Sequence, residues 1–126
     1  MKKIKPNRDL DRVLDIIKQV DFILTHTNID EDEFYSNEVL KLAILKSLEI
    51  IGEAANQIST ELKLTYKELD WKEMVRARNY YVHEYFAVEW PWVWQSIKNE
   101  IDFDKIKNYC LEILENEKRI YKICNH

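Results

Sequence analysis

A single glycine and two prolines are spread over 126 residues, and this scarcity of turn formers is the tightest limit on what the chain can fold into. A many-stranded sheet needs a supply of tight turns, and Gly and Pro are the residues that best make them. Leu, Ile, Lys and Glu dominate instead, a balance that predicts an all-α protein. With 46% hydrophobic residues the chain can bury one core of its own, so residues 1–126 are expected to form a single helical domain.

Apolar residues at steps of three and four mark helices with one buried face. The first runs from the N-cap candidate Asn7 to about Thr25, with Leu10, Val13, Leu14, Ile17, Val20 and Leu24 inward. The acidic run Asp30-Glu31-Asp32-Glu33 reads as a solvated loop whose charges favour the next helix N-terminus; metal binding is the other use of such a run. A long second helix covers Ser36 to Leu62, and its stripe of Val39, Leu40, Ala43, Ile44, Leu48, Ile51, Ala54, Ala55 and Ile58 makes it the central pillar. Gly52, the lone glycine, lies inside it at a cost of about 1 kcal/mol relative to Ala, which close approach by another helix would explain.

Thr65 to Glu68 and Asp70 to Glu73 both have the form of capping boxes, predicting a short turn of helix and then a main helix from Trp71. Trp90-Pro91 starts another, with Trp94, Ile97 and Ile101 on its inner edge. A last helix begins at Asp102 or Asp104, with Ile106, Tyr109, Cys110, Ile113, Leu114 and Ile120 inward and Glu112, Glu115 and Lys118 outward. The expected architecture is an antiparallel up-and-down bundle of four main helices plus a short one.

Cys110 and Cys124 have no spacing that suggests a disulfide framework or a zinc site, so free thiols in a reducing cytosol are expected. No apolar run reaches the roughly 18 residues needed to span a bilayer, and the expectation is a soluble cytoplasmic protein with no membrane role. A net charge of −4 argues against broad non-specific nucleic-acid affinity but leaves room for a local site.

Chemistry concentrates in Arg78-Asn79-Tyr80-Tyr81-Val82-His83-Glu84-Tyr85-Phe86. A permanently charged guanidinium can hold a phosphate, and an imidazole can move a proton near neutral pH. That pair suffices for phosphodiester chemistry without a metal. On an ideal helix Arg78 and His83 point about 140° apart and are offset by about 7.5 Å along the axis, so one regular helix does not make them converge. Asn79 and His83 share a face, as do Arg78 and Tyr85. Convergence requires a curled Arg side chain, a loosened helix end near His83, or a second motif brought up by a two-fold axis.

Taken alone, each of these residues has a plainer use: a salt-bridged Arg, a structural His, packed aromatics. Glu53 is a surface charge or a carboxylate turned toward the Arg or His. The Trp90, Trp92 and Trp94 cluster packs helices or stacks bases. Between Asp70 and Trp90, Lys72, Arg76 and Arg78 stand against Asp70, Glu73, Glu84 and Glu89, so an RNA groove would have to draw on cations elsewhere, such as the N-terminal lysines or a dimer mate.

Arg78-Asn79-x3-His83-x-Tyr85-Phe86, with Leu48-Glu49-Ile50-Ile51-Gly52-Glu53-Ala54-Ala55 and Trp71-Lys72-Glu73-Met74 before it and Val93-Trp94 after it, resembles the HepT-like toxin family of the HEPN superfamily. The resemblance spans nearly the whole chain. It implies a HEPN-like helical bundle, dimeric through the motif, that cleaves RNA as a metal-independent endoribonuclease and uses no cofactor. It also implies a toxin of a type II/VII-like toxin–antitoxin system, neutralised by a minimal nucleotidyltransferase antitoxin that transfers AMP to the motif tyrosine. Carried over by position, Arg78 and His83 become catalytic, Asn79 and Glu53 supporting, and Tyr85 the adenylylation site. The alternative is a non-catalytic, nucleotide-binding or regulatory partner of a nucleotidyltransferase.

Overall fold

The computed structural model describes residues 6–83 and 87–124, with side chains placed for 8–79 and 87–120. The described residues are helical, without strands. Seven helices follow in order: α1 (Pro6–His26), α2 (Glu31–Ser36), α3 (Glu38–Gln57), α4 (Thr60–Thr65), α5 (Trp71–His83), α6 (Trp90–Gln95) and α7 (Phe103–Cys124). A single π turn, Ser96–Glu100, continues α6. The all-α bundle expected from the turn-poor composition is the observed architecture, with three short helices among the long ones rather than one.

Packing follows from two buried faces on α3. The pillar lies against α1 on one side and α5 on the other, while α7 lies along α1. Asp9, near the start of α1, meets Ser59, just past α3, so these helices run antiparallel. Lys107 on α7 pairs with Asp21 on α1 at 2.6 Å, which makes that pair antiparallel too. Val13, Ile16, Val20 and Ile23 from α1, Ile44 and Ala55 from α3, Val93 from α6 and Ile113 from α7 are fully buried in one cluster.

Several boundaries differ from the sequence reading. The first helix already includes Pro6, so Asn7 lies inside it rather than capping it. The acidic run is not a loop: Asp30 caps α2, its side chain accepting from the Glu33 N–H at 2.8 Å, and Glu31 to Glu33 form the first turn. Their charges do sit at a helix N-terminus, where the dipole favours them. The second helix does not run to Leu62. It stops at Gln57, and Ser59 opens α4 by accepting from the Leu62 N–H at 3.1 Å. Thr65 ends α4 and caps nothing.

Asp70 caps α5 through the Glu73 N–H at 3.0 Å, as read, and of the two starts offered for the last helix Asp102 is the one that caps α7, through the Lys105 N–H at 2.9 Å. Pro91 lies in the first turn of α6. Within the faces, Leu14, Val39 and Ile120 are exposed, whereas Ile16, Ile23 and Leu45, passed over by the stripe reading, are buried.

Trp90 and Trp94 serve packing, whereas Trp92 is exposed. Trp94 is buried with its ring 4.9 Å from Phe34, and Trp90 meets Phe34 edge-on at 6.1 Å. Lys41 Nζ lies 5.2 Å from the Trp90 ring centre and 2.6 Å from a Glu38 oxygen, the pairing that lets a lysine be buried. Cys110 is wholly buried in α7, and burial pushes its thiol up to about 12, which makes it an inert packing group.

Candidate active site

The site begins with a missing side chain. A Cβ on Gly52 would lie 2.0 Å from the Arg78 Cβ and 2.8 Å from the Met74 carbonyl oxygen, so α3 and α5 touch backbone to backbone there. Only glycine permits that contact, and the close approach expected from the lone mid-helix glycine is present. Its consequence is to seat the root of Arg78 directly on α3.

From that seat the guanidinium reaches Glu53, the residue after the glycine. Arg78 Nη2 and Glu53 Oε2 are 2.8 Å apart, and Arg78 Nη1 donates to Asn79 Oδ1 at 2.9 Å. Gln57, one turn farther along α3, donates from Nε2 to the other Glu53 oxygen at 2.9 Å. Of the two readings of Glu53, the carboxylate turned toward the arginine is the one observed. Gln57 was missed, though its position four residues after Glu53 on a helix was the available signal.

Arg78 is partly covered, 28% exposed at its side chain, and its Nε is shut off from solvent without a hydrogen-bond partner among the described residues. Arginine carries five N–H donors in a planar fork. Two are engaged by Glu53 and Asn79, so the plane of the group is held while further Nη hydrogens stay available to an incoming phosphate. Glu53 is 40% exposed, which places the pair at the mouth of the α3–α5 contact rather than in the core.

His83 is the last residue of α5, in the same continuous helix as Arg78 and Asn79. Helical register therefore sets the backbone positions of Arg78 and His83 about 140° apart, as expected. Tyr85 lies outside the described residues. Among the described residues no group of three or more His, Cys, Asp or Glu side chains is placed to hold a metal ion, the acidic run at Asp30 included. No helix of the described residues is long and apolar enough to cross a membrane.

Residues 9–120 match the family model described as Ribonuclease HepT-like. This chain belongs to the HepT-like ribonuclease family. A Methanocaldococcus jannaschii protein named "Putative RNase MJ1216" is 35% identical over 108 residues, covering 80% of this chain and 89% of that relative. "Probable ribonuclease HepT" of Thermococcus cleftensis is 33% identical over 92 residues, 72% of this chain and 84% of its own. No solved structure matches this chain. The family match takes in α3, α5 and the whole Gly52–Arg78 contact.

Proposed function

We propose that this HepT-like chain is an endoribonuclease that cuts RNA by internal transfer, with Arg78 and His83 as its catalytic residues. The observation that supports this reading is the guanidinium of Arg78, oriented by Glu53 and Asn79 with hydrogens to spare, in a family of ribonucleases. The 2′-oxygen attacks the adjacent phosphorus, the bond to the 5′-oxygen breaks, and a cyclic phosphate and a 5′-hydroxyl remain. Arg78 stabilises charge on the pentavalent phosphorus, and His83 takes the 2′-hydroxyl proton or supplies one to the leaving oxygen. Asn79 and Glu53 are positioning residues, and no metal or cofactor takes part.

The same reading makes the protein the toxin of a toxin–antitoxin pair, working in the cytoplasm. Its partner is a minimal nucleotidyltransferase antitoxin that adenylylates Tyr85, two residues past His83. An AMP group on the motif adds bulk and negative charge that compete with substrate phosphate. A homodimer with the motif at its interface is the expected assembly, and α5 suits it because, among the described residues, α3 is its one extensive helix partner.

The deciding assay measures cleavage of RNA by wild-type protein, Arg78→Ala and His83→Ala in the presence of a chelator, then after incubation with ATP and the antitoxin. Activity in the wild type alone, lost after adenylylation with added AMP mass on the Tyr85 peptide, is the expected result. Cleavage that survives His83→Ala defeats the mechanism, and nucleotide binding without cleavage favours the regulatory alternative.

A further inference from the structure

Beside the Arg78–Asn79 pair, an open groove of about 820 Å³ adds Lys63 and Lys67 to the Lys72 and Arg76 of the motif segment. Lys63 of α4, Lys67 in the turn after it, and Lys72 and Arg76 of α5 line it, and Asn79 is at its end. Glu68 and Asp70 also line it, so four basic side chains share the groove with two acidic ones. Asp70 accepts the Glu73 N–H that caps α5, and Glu68 is hydrogen-bonded to Tyr109. Arg76 is paired with Glu73 at 2.6 Å, while no hydrogen bond or ion pair among the described residues engages Lys67 or Lys72.

Lys72, Arg76 and Asn79 stand on one face of α5, at steps of about 6 and 4.5 Å along the axis, so the charged row leads to the amide that receives Arg78. Leu64, 61% exposed, adds apolar surface to the groove wall. Burial draws the Lys63 ammonium below the usual lysine range while Asp9 pulls it back up, and such a group gains from an anionic neighbour. In a chain of net charge −4, this is a local exception pointed at a phosphate-type site.

We propose that the groove between α4 and α5 is the track on which single-stranded RNA lies, with Lys67 and Lys72 holding its phosphates and feeding the strand to Arg78. Unpaired cations along an open groove beside apolar surface are what a flexible polyanion with exposed bases requires. The inference rests on the ribonuclease reading and adds the route of the substrate.

The test uses a fluorescein-labelled single-stranded RNA carrying 2′-O-methyl groups throughout, which binds but cannot undergo 2′-hydroxyl attack. Lys67→Gln/Lys72→Gln should raise its Kd roughly tenfold and reduce the dependence of log Kd on log salt by about 1.4, two lost single-strand phosphate contacts. With cleavable RNA the same variant should raise KM and leave kcat within about twofold of wild type. The matched control, Lys18→Gln/Lys46→Gln, removes equal charge from α1 and α3 and should behave as wild type.

Equal weakening in the control would make the effect one of bulk charge and overturn the track. Unchanged affinity and salt slope in Lys67→Gln/Lys72→Gln, with wild type still cleaving, would overturn the track and leave the ribonuclease standing. Poly-glutamate displacing the RNA at equal charge concentration would reduce the groove to a general anion surface and also overturn it. A wild type that neither binds nor cuts RNA would bring down the ribonuclease reading and the track together.

Discussion

Position 52 couples stability to the site through one absent methyl group. Alanine there would gain about 1 kcal/mol in helix propensity, but its Cβ would lie 2.0 Å from that of Arg78. Overpacking of this kind costs typically about 1–3 kcal/mol, and here a backbone carbonyl blocks relaxation as well. Gly52→Ala is therefore expected to lower stability in urea by about 1–2 kcal/mol and to reduce RNA cleavage by tilting Arg78 away from Glu53. A variant more stable than wild type would show that the helices have room to spare. Glu53→Gln separates the two effects. Its ion pair is partly exposed, so stability should change by less than about 1 kcal/mol. The guanidinium, deprived of its charged anchor, should lose roughly tenfold in kcat with little change in KM, since misplacement acts on the transition state. A rise in KM alone would assign Glu53 to substrate binding instead.

Between elements, the break at Ser59 shows where local pattern runs out. Apolar residues continue at helical spacing through Ile58 and Leu62, a pattern that outweighs Ser59, the local N-cap residue at the break. The cause is fifty residues away: Asp9 accepts the Ser59 N–H at 2.9 Å and its hydroxyl at 2.5 Å, holding the chain extended so that Ser59 can cap α4. Asp70, Asp102 and Pro91 were legible because each acts on the turn that follows it. Gly52 was legible because a helix-interior glycine needs a reason. The direction of Glu53 was not, since it depends on how α5 is rotated against α3, and α2 was missed because six residues are too few to show a period. Asp9→Ala should destabilise the protein by about 1–3 kcal/mol, and in a double-mutant cycle with Ser59→Ala the two losses should couple by at least about 0.5 kcal/mol. Additive losses would mean that the two residues act independently.

For the molecule as a whole, buried acids of high pKa set an upper limit in pH. Cys110 is raised by burial from 9.0 to about 12, and Tyr66, buried and donating to Glu117 Oε2 at 2.7 Å, is raised from 10.0 to about 12. Below about pH 8 both groups are protonated in the folded and the unfolded chain, and their contribution is intact. As pH rises, the unfolded thiol ionises first and the unfolded phenol next, while the folded forms hold their protons. The unfolded state then binds fewer protons, so stability falls with rising pH until about 12, by at most about 1.4 kcal/mol per pH unit for each group. Urea denaturation at several pH values from 8 to 11 should show this decline. Cys110→Ala should start lower at pH 8 because it leaves a small cavity, yet decline less steeply above pH 9, the thiol's share of the slope having gone. Parallel curves for the two proteins would mean that the thiol ionises as readily in the folded core as in the unfolded chain, and that the packing around α7 admits water.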